Sequence, residues 1–372
     1  MFVCGPTVQD YMHLGHARTY IFYDVVARYL AYLGYKVHFV LNITDVDERI
    51  TEEALRRGKV PFDLAREYSK YFIVDMAKLK ADSVCKFEPV SAHVDQMIEQ
   101  ISLLIERGHA YAVGGWVYFD VSTFPRFGRL SHQSSSELSL RPLELSLRKR
   151  NLLDFALWRP EILVEGNWDS PWGMGSPGWH IQDIAVTSSL LGPQYDLHGG
   201  AYELTYPHHE AEIAEAESLT GLTPFVKYWV HTRLVNMRGE KMSKSSGNVL
   251  TVREALRSYS ADQLRMFLLS RHYRKDMDLR GLDSSARKYV RLRGIAKTAL
   301  RAAGTASKEI DETLLRSFCD AMNDDFNTPL ALGVLGEGLE SALNRKSAAT
   351  AGRKLASVRV AGNILGIDFG IG

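Results

Sequence analysis

The chain is 372 residues long, too long for one ordinary hydrophobic core, so two or three domains are expected. Lys and Arg number 45 against 44 Asp and Glu, a net charge of +1, so any affinity for nucleic acid has to come from local patches rather than a global field. Three scattered cysteines, Cys4, Cys85 and Cys319, argue against a disulfide framework, and with no apolar run of membrane-spanning length and no leader-like N-terminus the expectation is a soluble cytoplasmic enzyme.

Phe2 to Cys4 reads as a short strand. From Gly15 onward Ile21, Phe22, Val25, Val26, Tyr29, Leu30 and Leu33 share one face of a helix. Between the two lie Cys4-Gly5-Pro6-Thr7-Val8 and His13-Leu14-Gly15-His16. Two imidazoles at a strand-to-helix junction stand where backbone N–H groups and the helix dipole favour an anionic phosphate. Lys36 to Leu41 reads as the next strand, and helical patterns cover Thr51 to Arg57 and Val94 to Gly108. From Gly114 to Arg159 the pattern changes: Trp116-Val117-Tyr118-Phe119 is a short strand, and the serine-rich stretch Ser131 to Ser139 reads as a mobile segment inside an insertion. Pro207-His208-His209-Glu210-Ala211-Glu212 opens a helical pattern from His209 to Thr220, with His208 and Glu212 four apart and able to share one face. Val226 to Val230 reads as a strand. Lys241-Met242-Ser243-Lys244-Ser245 stands on a loop ending at Gly247 and Asn248, where two cations can swing onto a triphosphate and later release pyrophosphate. Either short motif alone is weak evidence; the pair in one chain points to ATP. After about Asp262 strands stop and helical periods run through Leu264, Met266, Phe267, Leu292, Ile295, Leu300, Leu314, Phe318 and Met322, the pattern of a bundle. The earlier alternation of strands and helices implies a mostly parallel sheet with helices on both faces.

These motifs, in this order, resemble the cysteinyl-tRNA synthetase family of class I aminoacyl-tRNA synthetases. The resemblance extends almost end to end, through NITDVDERI at Asn42 to Ile50, DFALW at Asp154 to Trp158, SPWGMGSPGWHI at Ser170 to Ile181, DLHGG at Asp196 to Gly200, YPHHEAEIAEAES at Tyr206 to Ser218 and DDFNTP at Asp324 to Pro329. It implies an α/β fold: a Rossmann-like parallel-sheet catalytic domain over 1–261, with the insertion at about 110–165 and the KMSKS loop at 241–245, then an α-helical tRNA-binding bundle over 262–372. It implies ATP-dependent activation of L-cysteine to cysteinyl-adenylate and transfer to the 3′ end of tRNA(Cys), by a monomer that needs no membrane. Catalysis would rest on His13, His16, Lys241 and Lys244. These residues would hold ATP with Mg²⁺, together with Gly15 and with His198, Gly199 and Gly200. Gly5, Thr44 and Trp179 would line the amino-acid pocket, and zinc would sit on Cys4, His208, Glu212 and the residue at position 183.

Zinc fits the task, because shape rejects a near-isostere such as serine poorly while a thiolate ligates zinc far better than a hydroxyl does. The family most often carries Glu-Cys after GWHI; this chain reads Gln182-Asp183 there. A carboxylate carries the charge of a thiolate and is itself a zinc ligand, so Cys4, Asp183, His208 and Glu212 are the expected set, against a helix-capping or arginine-pairing role for Asp183. Ala201 replaces a common third glycine after Gly199 and Gly200, and His180, His209 and His231 are left unassigned. Between Asp283 and Glu309 there is no acidic residue while Arg287, Lys288, Arg291, Arg293, Lys297 and Arg301 cluster, and a second run holds Arg345, Lys346, Arg353, Lys354 and Arg359. Both runs are expected to meet tRNA phosphates. The chain stops soon after Gly366-Ile367-Asp368, where longer relatives continue into an anticodon-reading domain. That leaves open a ligase of the mycothiol-synthesis type, joining cysteine to an amino-sugar, and a non-catalytic synthetase-like tRNA-binding protein.

Overall fold

The computed structural model describes residues 1–134, 137–138, 147–160, 166–242, 248–344 and 347–371. They form two compact units, each discontinuous in sequence. The first comprises Met1–Asp10, His38–Phe72 and Val84–His231; the second comprises Tyr11–Val37, Ile73–Ser83 and Thr232–Gly372. The expected division at 261/262 coincides with neither unit, because the helix that follows His13 groups with residues beyond 231.

Two sheets organise the first unit. The strands in chain order are β1 (Phe2–Val3), β2 (Val40–Ile43), β3 (Lys86–Pro89), β4 (Ala110–Val113), β5 (Trp116–Phe119), β6 (Phe155–Pro160), β7 (Gly175–Pro177), β8 (Tyr195–Ala201) and β9 (Val226–Thr232). One sheet has the order β3-β2-β1-β8-β9, and β1 pairs in parallel with β2 (Phe2 with Val40) and with β8 (Phe2 with His198). All four residues of β2 are buried, as a central parallel strand covered on both faces requires. The strand order reverses at β1, between β2 and β8, and in open α/β sheets ligands bind at such a switch point, beyond the carboxyl ends of the strands. Cys4 and Gly5 lie at that end of β1 and Gly199 and Gly200 at that end of β8, with Cys4 N–H donating to Gly199 O at 2.9 Å. The second sheet, β4-β5-β6-β7, is antiparallel and carries the expected insertion, including the strand at Trp116. Part of the serine-rich stretch read as mobile, at 135–136 and 139, falls outside the described residues.

Three readings need correction. The strand expected over Lys36 to Leu41 is Val40–Ile43, and Lys36 is exposed. Strands do not end at Asp262, since β12 (Met277–Asp278) pairs with β10 (Val235–Met237), which also pairs with β11 (Glu240–Lys241). The helix Trp179–Leu191 and strand β8 escaped the sequence reading altogether: His180 to Thr187 are buried without a break, which erases the one-sided apolar stripe that marks a surface helix.

In the second unit the helix Leu14–Tyr32 begins at the N-cap His13. Its Arg18, 2% exposed, donates to four backbone carbonyls: Arg233 O at 2.9 Å, Leu234 O at 2.7 Å, His272 O at 3.0 Å and Lys275 O at 2.5 Å. One side chain thus ties the helix to the segments around β10 and β12. Arg18→Met keeps the apolar stem but leaves buried carbonyls unpaired, so unfolding free energy is expected to fall by about 3 kcal/mol. An unchanged urea midpoint in that variant would contradict this account. The helices Leu282–Ala303, Glu312–Asn323, Thr328–Leu343 and Ala348–Leu365 bury Leu292, Phe318, Leu335, Leu339, Leu355 and Val358, the expected bundle.

Candidate active site and metal centre

Cys4 Sγ, at the end of β1, is buried among ligand-type side chains drawn from three other elements. Its thiol donates to Asp183 Oδ2 at 3.2 Å, and Asp183 stands inside the helix Trp179–Leu191. His198 Nε2 on β8 and His209 Nε2 beside the helix Glu210–Thr220 each lie 3.2 Å from Cys4 Sγ. His208 Nε2 is 3.2 Å from Asp183 Oδ2 and 3.1 Å from Glu212 Oε1. Cys4, Asp183, His208 and Glu212 offer donor atoms within 4.8 Å of one another, so the four residues expected to hold zinc come together in one place. Asp183 pairs with no arginine among the described residues and sits well inside its helix, so neither a cap nor an ion pair with arginine describes it.

The electrostatics favour a cation there. Both Glu212 carboxylate oxygens are fully buried, and among the described residues they meet only imidazole nitrogens, His208 Nε2 at 3.1 Å and His198 Nδ1 at 3.4 Å, neither in hydrogen-bond geometry. Burial raises the Glu212 pKa well above the usual range, and the nearby Asp183 charge raises it further. Burial likewise pushes the Cys4 thiol up, reinforced by Asp183 and Glu212. Burial holds His180, His198 and His209 well below the ordinary histidine range, with help from neighbouring imidazoles. A buried thiol and carboxyl kept from ionising chiefly by burial, beside imidazoles held well below their ordinary range, form a donor set that a divalent cation would resolve.

Beside this cage lie the residues expected to line the amino-acid pocket. Gly5 has no alternative, because a Cβ there would stand 1.6 Å from Asn42 O. Its N–H donates to Asn42 Oδ1 at 2.5 Å, and Asn42 Nδ2 donates to Asp183 Oδ1 at 2.7 Å. That chain joins the backbone at Gly5 to the cage. Thr44 is buried and takes Asn42 Nδ2 at 3.4 Å, while Trp179 stacks on His208 at 4.1 Å with the rings 9° from parallel. The Arg49 guanidinium lies over the Trp179 ring, 5.6 Å from its centroid, and a cleft of about 180 Å³ opens between Val46, Arg49, Arg159, Trp179 and Gln182.

His13, Gly15 and His16 belong to the second unit. His13 caps the helix Leu14–Tyr32 by accepting His16 N–H at 3.3 Å, and the two imidazoles stack 3.7 Å apart. A Cβ on Gly15 would lie 2.8 Å from His13 Cε1 and 3.3 Å from Met242 Cε. Leu14 N–H donates to Leu250 O at 3.0 Å, and Val252 N–H to Met12 O at 2.8 Å. The HLGH segment is therefore held against chain on both sides of 243–247. Lys244 lies outside the described residues, as does the Lys241 side chain.

His198, expected with Gly199 and Gly200 on the nucleotide, has a fully buried ring directed at Cys4. A Cβ on Gly200 would lie 2.9 Å from Leu204 Cδ1 and 3.1 Å from His209 Cε1, so the missing side chain makes room for His209. The unassigned histidines all belong to this region: His209 faces Cys4, His231 holds His209 Nδ1 at 2.7 Å, and His180 holds His208 Nδ1 at 2.8 Å. His208 and His209 close the irregular turn Thr205–His209, in which Tyr206 departs from helical φ/ψ, and both are buried in the cage.

Comparison with known proteins gives a consistent picture. Residues 1–286 match the family model "tRNA synthetases class I (C) catalytic domain", and residues 317–370 match the DALR domain. The chain is 43% identical over 332 residues to the cysteine--tRNA ligase of Thermoplasma acidophilum, covering 88% of this chain and 73% of that protein. It is 43% identical over 360 residues to the cysteine--tRNA ligase of Geobacter sulfurreducens, covering 93% and 74%. Among solved structures, Mycobacterium tuberculosis methionyl-tRNA synthetase with methionyl-adenylate superposes with a TM-score of 0.69 at 17% identity, over 98% of this chain and 89% of that one. An Agrobacterium radiobacter LeuRS–tRNA–LeuAMS complex gives 0.71 at 11% identity, over 98% and 83%. At such identities these two structures speak for the fold alone.

Proposed function

The chain belongs to the class I (C) tRNA synthetase family, and on that premise we propose that it is a cysteine--tRNA ligase that reads its substrate's thiol through zinc. The observation that carries the thiol reading is the buried cage of Cys4, Asp183, His208 and Glu212 beside Trp179 and Thr44. When bound, zinc supplies an open coordination position that takes a thiolate and neglects a hydroxyl.

The remaining work falls to the chain's own groups. Gly5 offers close backbone approach to the amine or carboxylate of cysteine, and Trp179 and Thr44 wall its side chain. The cysteine carboxylate attacks the α-phosphorus of ATP, forming cysteinyl-adenylate as pyrophosphate leaves. The imidazoles of His13 and His16 at a helix N-terminus, with Lys241, Lys244 and Mg²⁺, offset the charge that gathers on the phosphates. Gly15 and the backbone of Gly199 and Gly200 allow the nucleotide a close approach. A terminal ribose hydroxyl of tRNA(Cys) then takes the cysteinyl group and AMP departs, so no protein nucleophile is needed. Arg287, Lys288, Arg293, Lys297 and Arg301 are exposed along one helix and supply phosphate contacts for that tRNA, while Arg291 is paired with Glu340. In the second basic run, Arg345 and Lys346 lie outside the described residues, and Lys354 is paired with Asp311 at 3.0 Å. We place this activity in the cytoplasm, in a monomer; no helix among the described residues is long and apolar enough to cross a membrane.

Cysteine-dependent exchange of pyrophosphate into ATP tests the first step, and charging of tRNA(Cys) against an amino-sugar acceptor tests the second. Lys244→Ala is expected to raise the adenylation barrier by about 2 to 4 kcal/mol, the range for removing one preorganised charge donor, with the melting temperature unchanged. Exchange at the unmodified rate in that variant would remove the lysine loop from the reaction.

A further inference from the structure

Three histidines aim a ring nitrogen into the cage, and each is held from behind. His198 Nδ1 meets the Tyr195 hydroxyl at 2.7 Å and also lies 3.4 Å from Glu212 Oε2, His209 Nδ1 meets His231 Nε2 at 2.7 Å, and His208 Nδ1 meets His180 Nδ1 at 2.8 Å. A ring tied at one nitrogen and pointed at a shared centre by the other is how metal-ligating imidazoles are oriented. The donors fall into two overlapping groups of four, with Cys4 and Glu212 in both. One group is completed by Asp183 and His208, the other by His198 and His209, and in each the donor atoms lie within 4.8 Å of one another.

We propose that His198 and His209 form, with Cys4 and Glu212, a second station for the same divalent ion, and that the ion rests there until a substrate thiol arrives. The proposal builds on the zinc reading above. Donor type favours the second group at rest: it offers sulfur, two imidazole nitrogens and one carboxylate, whereas the first offers sulfur, one nitrogen and two carboxylates. Zinc prefers nitrogen and sulfur. Formal charge points the same way, because a thiolate, one carboxylate and two neutral rings balance a divalent ion, while a third anionic donor leaves a buried net charge.

The two stations also face different surroundings. His208 lies under Trp179 at the pocket, and Asp183 is linked through Asn42 to Gly5. His198 and His209 pack instead against Trp229, with ring centroids 4.4 Å and 5.0 Å away. Asp183 and His208 are then the ligands of the substrate-bound state, and the carboxylate at 183 is the donor that lets go when the pocket is empty.

X-ray absorption at the zinc edge of the zinc-loaded full chain tests this directly. Without cysteine the expected shell holds one sulfur and two imidazoles; with cysteine it holds two sulfurs and one imidazole. In zinc competition without cysteine, His209→Gln is expected to lower affinity at least about 10-fold and Asp183→Ala by less than about 3-fold. A single imidazole in both states, or the reverse order of the two variants, overturns the second station while leaving zinc as the thiol reader. Protein that binds no zinc at all overturns both. Should His209→Gln fail to fold, the absorption spectra of the unmodified protein still decide.

Discussion

Stripping zinc from the protein should collapse its preference for cysteine over serine, from about 10⁴-fold or more to about 10²-fold or less in relative activation, because shape discriminates near-isosteres only at the lower level. The cage explains the size of the effect. Cys4, Asp183 and Glu212 bring a thiol and two carboxyls into one buried site, and burial holds the His198 and His209 imidazoles well below the ordinary histidine range. Without a cation, burial keeps the Cys4 thiol and the Glu212 carboxyl from ionising, so the site has nothing that takes a thiolate in preference to a hydroxyl. The measurement is pyrophosphate exchange with each amino acid, before and after chelation and after zinc is restored. Selectivity that survives chelation would assign the discrimination to Trp179 and Thr44 instead.

What the sequence disclosed, and what it hid, follows from burial. The HLGH motif was legible because His13 and His16 flank a helix start whose periodicity begins at once, and the structure places His13 at that helix's N-cap. The bundle was legible because Leu292, Phe318 and Met322 recur at helical spacing and are buried. The helix Trp179–Leu191 was not, since neighbours on every side leave it without a polar face to set its period. β8 hid for a related reason: His198-Gly199-Gly200 is a poor strand sequence, made a strand by pairing with β1. His208 and Glu212 were placed by the family resemblance, and their four-residue spacing agreed with it. His209, one residue on, is also in the cage, and no apolar or polar periodicity marked it as such.

Asp183→Ala should nearly abolish cysteine activation, with a loss of about 3 kcal/mol or more in kcat/KM, while Asp183→Cys should retain most of it. Two losses combine in the alanine variant. Asn42 Nδ2 is left without the acceptor it reaches at 2.7 Å, which loosens the link back to the Gly5 N–H. The pocket-side station also loses an anionic donor, leaving Cys4, His208 and Glu212 to hold the ion while it takes the substrate thiolate. A cysteine at 183 restores an anionic zinc ligand of softer character, so selectivity should persist even though the amide of Asn42 finds a weaker acceptor. Zinc content near one per chain is expected in both variants, because His198 and His209 can retain the resting ion. A merely structural Asp183 would behave otherwise: the alanine variant would melt earlier and activate cysteine normally once folded. Measuring melting temperature, zinc content and pyrophosphate exchange on the same preparations separates the two, and intact cysteine activation in Asp183→Ala would remove the carboxylate from the thiol-reading site.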